Sequence, residues 1–302
     1  MKQSKGRTAV ITGAASGFGL ESSRIAARLG MNVVMADVMA EPLAKAAAEI
    51  EALGAAVLPY RLDVSKAAEV EAMGEAVRQR FGAPHFVFNN AGISCGGLIW
   101  EHTLKDWEWT VGVNLMGVAH GVRVFTPMML EAAASDPGYE GHIVNTASMA
   151  GMVNMPNMGA YNVTKHAVVS MSETLYQDLA LVTSQVHAHV LCPYFVPTGI
   201  IHSDRARPAD MDRGAELTPS QRIAKLLGEK AVSSGKVTAA EVAQFVFDAM
   251  AENRFYIFSH PSPRALAPVQ TRLEDVMQRR NPTDPYADRP ELGQQLRDAL
   301  KG

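Results

Sequence analysis

Tyr161 and Lys165 stand four residues apart in Tyr161-Asn162-Val163-Thr164-Lys165, at the start of an apparent helix running to about Leu181. Positions i and i+4 share a helix face, so the phenol and the ammonium point into the same space. A tyrosine ordinarily titrates near pKa ~10, too high for a base at neutral pH. A nearby Lys⁺ favours the tyrosinate and lowers that value. The pair therefore reads as a general acid/base able to move an alcohol proton, although two solvated helix residues would look the same in isolation. Ser148, 13 residues upstream, follows the apolar run His142–Asn145, where a hydroxyl can reach a ligand crevice. Asn114, in the preceding helical segment, offers a side chain that can interrupt the helix or hold a water.

A second cluster is built on glycine. Thr12-Gly13-Ala14-Ala15-Ser16-Gly17-Phe18-Gly19 directly follows the apolar run Thr8–Ile11 and opens a helical pattern over Leu20–Leu29. Glycines there permit a tight turn, close approach of a pyrophosphate to the backbone, and close packing of helix on strand. Exposed N–H groups and the positive end of the helix dipole then hold the anion. An ordinary strand–helix turn is the bland alternative, and the strand before and helix after favour a dinucleotide. Asp37 closes the second apolar run, 18 residues after Gly19. A carboxylate there accepts hydrogen bonds from the adenosine ribose and repels a 2′-phosphate. Val38 follows, and the glycine loop carries no Arg or Lys, so NAD is expected over NADP.

These groups need a scaffold, and the hydrophobic pattern describes one. Thr8–Ile11, Asn32–Ala36, Ala56–Arg61, His85–Phe88, His142–Asn145 and Val186–Leu191 each read as a short buried strand, with Arg254–His260 as the last. Helical patterns lie between them. Leu43, Ala47, Ile50 and Leu53 form one apolar stripe stopped by Gly54. Ser65 reads as the N-cap of a helix carrying Val70, Met73 and Val77. Thr103 with Asp106 reads as a capping box opening a helix through Trp107, Val111 and Leu115. Such alternation implies an α/β fold: a Rossmann-like, doubly wound parallel sheet of about seven strands with helices on both faces. Ligands bind such sheets beyond the carboxyl ends of the strands, where strand order reverses. No linker splits the chain, so residues 1–302 read as one domain, with a substrate lid near 199–230 and a proline-rich C-terminal extension near 261–302 that ends in a helix carrying Leu292, Leu296 and Leu300.

With these motifs in place, the chain resembles the short-chain dehydrogenase/reductase family in its compact, single-domain branch. The family's TGxxxGxG loop matches Thr12 to Gly19, with Gly13, Ser16, Gly17, Phe18 and Gly19 as cofactor contacts. Its adenine-contacting acidic residue matches Asp63, followed by Val64, and its Asn-Asn-Ala-Gly strand end matches Asn89 to Gly92, bringing Asn90, Ala91 and Gly92 to the cofactor. Its active-site Asn, Ser, Tyr and Lys match Asn114, Ser148, Tyr161 and Lys165. One departure stands out: where the family reads Pro-Gly, this chain reads Pro193-Tyr194, then Phe195-Val196-Pro197-Thr198. Pro193, Val196 and Thr198 remain available to the nicotinamide end, while Tyr194 puts a phenol in the glycine slot.

The resemblance implies that Tyr161 takes the alcohol proton or returns it, and that Lys165 lowers the Tyr161 pKa and binds the nicotinamide ribose. It implies further that Ser148 hydrogen-bonds the substrate oxygen, that Asn114 supports a proton-relaying water, and that hydride passes between substrate carbon and nicotinamide with no metal. Homodimers or homotetramers built on the helices carrying Asn114 and Tyr161 are implied as well. The extended tail and Phe255–Phe258 resemble a longer subgroup that includes enzymes oxidising benzylic alcohols of aryl ethers.

Composition bounds the rest. Lys and Arg number 28 against 31 Asp and Glu, a net charge of −3 with no basic block, so no nucleic-acid partner is expected. Two cysteines, Cys95 and Cys192, suit neither a disulfide framework nor a zinc site, and a cytoplasmic protein without membrane contact is expected. His187 and His189 alternate along one strand face and read as packing rather than metal ligands. Met149 and Met155, between Ser148 and Tyr161, read equally as core and as a pliable pocket wall. The expected function is NAD-dependent interconversion of a secondary alcohol and a ketone, with an apolar or aromatic small-molecule substrate. A steroid, a sugar, an acyl thioester, or a dinucleotide sensor without chemistry are the alternatives.

Overall fold

The computed structural model describes residues 4–301. Seven parallel strands form one sheet: β1 (Thr8–Thr12), β2 (Asn32–Asp37), β3 (Val57–Arg61), β4 (Phe86–Asn89), β5 (Gly141–Thr146), β6 (Val186–Cys192) and β7 (Tyr256–Phe258). Their order is β3-β2-β1-β4-β5-β6-β7, so the winding reverses between β1 and β4. Every residue of β1, β4 and β5 is buried, as expected of strands covered by helices on both faces. Ile11, Val33, Met35 and Phe88 pack beneath α1 (Gly17–Arg28) and α2 (Ala40–Ala52), together with Val242 and Val246 from the later helix α8 (Ala239–Glu252). Val10, Val87 and Ile143 pack on the opposite face against α3 (Ala67–Phe81) and α5 (Gly117–Ser135).

The remaining helices are α4 (Leu104–Val111), α6 (Gly159–Val182), α7 (Pro219–Ser233), α9 (Pro263–Met277) and α10 (Pro290–Lys301). No helix among the described residues is long and apolar enough to cross a membrane.

Several local expectations are corrected. Ser65 does not cap α3, because its N–H is drawn to the Asp63 carboxylate at 2.9 Å and the helix starts two residues later. Leu53 leaves the apolar stripe of α2 and is exposed at the C-cap, while Ala46 takes its place in the core. The Thr103/Asp106 capping box forms as expected, but α4 ends at Val111 and a π-helical turn, Gly112–Met116, joins it to α5. The extension holds α9 as well as the expected terminal helix.

His187 and His189 share a sheet face with His142, whose ring lies 5.2 Å from each of theirs. His142 Nδ1 and His189 Nε2 are 3.0 Å apart, so one N–H donates to the other ring. Burial, reinforced by the neighbouring rings, holds both below the ordinary histidine range, and burial, aided by the Arg7 charge, brings His85 down to about 4. Unfolded, these rings take up protons near pH 6.5, the ordinary value; folded, they stay neutral to lower pH. The unfolded chain therefore binds more protons as pH falls, and stability drains away from that point toward about pH 4. Urea denaturation should show a loss on the order of 2 kcal/mol across this window, flattened in His142→Gln. Stability that stays level or rises on acidification would contradict this account.

Candidate active site

The glycine loop leaves the C-terminal end of β1 and lies against the turn after β4, at the reversal of strand order. Thr12 joins the two: its Oγ accepts the N–H groups of Asn90 and Ala91 at 2.9 and 3.0 Å and donates to the Phe88 carbonyl. Gly13 has φ +65°, and a Cβ there would meet Ala91 Cα and Asn90 Nδ2 at 3.0 Å. At Gly19 a Cβ would fall 2.2 Å from the Gly13 carbonyl oxygen, so only glycine lets α1 fold back onto the loop. Ser16, at the N-cap of α1, makes no side-chain capping bond, and no acidic side chain occupies the first turn. The leading N–H groups of a helix lack intrahelical partners.

Asp37 accepts one N–H on each carboxylate oxygen, from Ala15 at 3.1 Å and Met39 at 3.0 Å. Each oxygen keeps a lone pair for a further donor. Asp63 and Val64 line the same cleft, as do Pro193, Val196 and Thr198 opposite. A narrow, uncharged glycine cradle ending in a carboxylate fits an adenine dinucleotide. A cation does stand beside this carboxylate, on β3 rather than in the loop: Arg61 pairs in register with Asp37 and donates Nε–H to the Val38 carbonyl at 3.4 Å.

Across the cleft, Tyr161 lies in the first turn of α6 and Lys165 one turn on, both buried. Lys165 Nζ lies 5.6 Å from the centre of the Tyr161 ring and donates to the Thr146 carbonyl at 2.9 Å. Ser148 follows β5 in extended conformation; its Oγ accepts Ala150 N–H at 3.1 Å and donates to the Pro193 carbonyl. Burial lifts the Tyr161 phenol above its ordinary value, and the Ser148 side chain opposes that rise. Lys165 stands over the Tyr161 ring with its ammonium bonded to a backbone carbonyl, and within the chain alone burial is the larger influence on the phenol. Lys165 itself is drawn down to about 8 by burial, an effect that Cys192 opposes.

Asn114 sits in the π-helical turn, where the extra residue per turn displaces it from the regular helix face. Its Oδ1 accepts the Ile93 N–H at 2.8 Å and its Nδ2 donates to the Ile93 carbonyl at 3.0 Å. A third contact reaches Thr164 Oγ at 3.4 Å, so Asn114 ties the loop after β4 to α6.

Gly13, Ser16, Gly17, Phe18, Asp37, Asn90, Ala91, Gly92, Ser148, Tyr161 and Lys165 border one cleft of about 750 Å³, whereas Gly19 and Asn114 are not among its lining residues and act from behind the wall. Met149, Met155 and Tyr194 border it too. The Tyr194 ring leans on Phe195 and His260, with centroids 4.8 and 5.7 Å away, which turns it toward the C-terminal extension. The segment 199–233 roofs the cleft: Ser203 Oγ accepts Ser94 N–H at 3.0 Å, and Ser220 Oγ accepts Leu98 N–H at 3.0 Å. Tyr286, Leu292 and Leu296 of the extension line the cleft beside α7, a placement that the sequence hinted at only through the leucine spacing. Asp106 was legible as a cap; its second bond, to Arg207 of the roof, was not.

Residues 7–209 match the family model of short chain dehydrogenases. A short-chain dehydrogenase/reductase from Burkholderia phymatum, solved in complex with NAD, superposes with a TM-score of 0.90 at 49% identity, covering 94% of this chain and 99% of that one. The chain is 36% identical to a CLA biosynthesis dehydrogenase/reductase of Lactiplantibacillus plantarum, over 92% of this chain and 95% of that protein. It is 34% identical to a 1-deoxy-11-beta-hydroxypentalenate dehydrogenase of Streptomyces exfoliatus, over 89% and 88%.

Proposed function

Because this chain belongs to the short-chain dehydrogenase family of oxidoreductases, we propose that it interconverts a secondary alcohol and a ketone with NAD as cofactor. The observation that carries the reading is the convergence of Ser148, Tyr161 and Lys165 on the cleft that also holds the glycine cradle and Asp37. Relatives named as dehydrogenases along nearly their whole length support it.

Gly13, Ser16, Gly17, Phe18 and Gly19 would hold the pyrophosphate, Asp37 the adenosine ribose, Asp63 and Val64 the adenine, and Asn90 to Gly92 with Pro193, Val196 and Thr198 the nicotinamide half. The dinucleotide, when bound, supplies the two-electron redox chemistry. The chain's own part is proton transfer and orientation. Ser148 donates to the substrate oxygen, and Tyr161 takes the hydroxyl proton in oxidation or returns one in reduction. Lys165, charged below about pH 8, keeps positive charge beside the phenol and is placed to hold the nicotinamide ribose. Asn114 fixes the Ala91–Ile93 loop that backs the site. Asp37 supports NAD over NADP by repelling a 2′-phosphate. Met149, Met155 and the leucines of α7 and α10 give the substrate side an apolar wall.

Met116 and Val163, 41% and 47% exposed on the helices that carry Asn114 and Tyr161, support self-association of two or four copies. The direct test of function is the near-ultraviolet absorbance of reduced nicotinamide when the protein meets NAD and a panel of apolar and aromatic secondary alcohols. Turnover of at least one panel member is expected. No turnover of any alcohol or ketone, with NAD bound, would leave only the sensor reading.

A further inference from the structure

We propose that the substrate cavity contains a carboxylate site, built by Arg207 and Arg213 against α4, so that the substrate is an apolar secondary alcohol or ketone bearing an anionic group. This rests on the oxidoreductase reading above and names its substrate class.

The substrate side of the cavity is unbalanced in charge. Two carboxylates line it, Asp106 and Asp204. Five cations face them: Arg205, Arg207, Arg213, Lys225 and Arg289. Ion pairs consume only part of this excess. Arg207 pairs with Asp106, and Arg213 Nε stands 3.5 Å from the same carboxylate. Arg213 Nη2 and Lys225 Nζ share Asp204, at 3.5 and 3.8 Å. Three cations therefore divide two carboxylates, and Arg205 and Arg289 have no ion pair among the described residues. The surrounding wall, including Met149, Val153, Leu227 and Leu292, is apolar. Arg205, Lys225 and Arg289 are exposed and can be hydrated, so the cost of unmatched positive charge falls on the two largely buried groups, Arg207 and Arg213.

Arg207 shows where that anion belongs. Its side chain is 8% exposed, yet Nε and Nη1 have no hydrogen-bond partner. The large majority of buried side-chain polar atoms are hydrogen-bonded, and two free donors on one guanidinium call for a partner. The group also lies over an aromatic ring: its central carbon is 4.5 Å from the Trp109 ring centre, on the helix that supplies Asp106. A planar fork stacked on an indole with donors to spare matches the two oxygens of a carboxylate better than a neutral polar group. Arg213, 18% exposed at the side chain, is the more accessible second donor. Asp106 then acts as a positioning residue. Burial pushes its pKa upward, but the Arg207 and Thr103 bonds prevail and keep it ionised, aiming both guanidinium groups.

The test uses octanoate and its neutral isostere octanamide, titrated calorimetrically into the full-length chain, so that no turnover is needed. Octanoate should bind roughly tenfold or more tightly than octanamide, as charge-assisted hydrogen bonds require. In Arg213→Gln, and separately in Arg207→Met, that ratio should fall to about threefold or less while octanamide affinity stays within about twofold of the unaltered chain. Arg213→Gln carries the test if Arg207→Met does not fold, since Asp106 keeps Arg207 as its partner there. Equal binding of the two ligands, no binding of octanoate, or a ratio that survives in the variants overturns the proposal. Equal weakening of both ligands overturns it too, because that is what a role in merely latching the roof would produce. None of these outcomes touches the turnover of neutral alcohols, so failure here and failure of the oxidoreductase reading are separate results.

Discussion

Tyr161→Phe should lower turnover by roughly a thousandfold while leaving dinucleotide affinity within about twofold, because a positioned general acid/base contributes on the order of 10²–10⁴. The change is conservative for the fold. The ring is 9% exposed and keeps its packing and the ammonium 5.6 Å away, while the removed hydroxyl faces the Ser148 side chain. Burial lifts this phenol above its ordinary value, so proton removal is unfavourable unless charge arrives beside it at the moment of reaction. Among the described residues Lys165 is the cation over that ring, so it is the group of the chain placed to supply such charge. Steady-state rates with a reactive alcohol, alongside NADH binding by fluorescence, read both quantities. A variant within tenfold of the parent would remove Tyr161 from the chemistry and with it the proton path proposed above.

Asp37→Ser should reverse the cofactor preference. The efficiency with NAD should fall by roughly ten- to a hundredfold, the worth of one or two hydrogen bonds to a charged acceptor. Efficiency with NADP should rise, because the carboxylate that repels a 2′-phosphate is gone. Serine can still accept one of the two loop N–H groups that Asp37 holds at 3.1 and 3.0 Å, so the loop keeps part of its support. Arg61 supplies the missing cation, since its guanidinium already reaches the Val38 carbonyl beside this site. In Asp37→Ser combined with Arg61→Gln the gain with NADP should therefore vanish. Comparing kcat/KM for both cofactors across the three proteins decides the matter. A parent chain that already favours NADP would refute the assigned role of Asp37.

Both predictions concern residues that were readable before any coordinates, and the reason is locality. The glycine loop is a contiguous stretch whose backbone demands allow few substitutes, as the 2.2 Å clash at Gly19 shows. Tyr161 and Lys165 share a face because helix periodicity brings i and i+4 together. The seven strands were legible because each is a short apolar run closed by turn residues, and repeated alternation with helices leaves parallel winding as the economical arrangement. Local competition explains the small errors. Ser65 lost its capping role to the nearby Asp63 carboxylate, and the π turn at Asn114 follows from a side chain bonded to Ile93, 21 residues away.

What the residue order determined by itself, then, was the scaffold, the glycine loop and the shared face of Tyr161 and Lys165, since each is encoded within a turn or two of chain. The protonation tendencies of Tyr161 and Lys165 were decided by the folded environment, because desolvation depends on every neighbour that excludes water. The identity of the substrate wall was decided there too. Asp106 meets Arg207 across 101 positions, and Tyr286 and Leu296 arrive from the far end of the chain to line the same cleft as Tyr161. Contacts of that separation leave no periodic mark in a sequence; they exist only once the layers have packed.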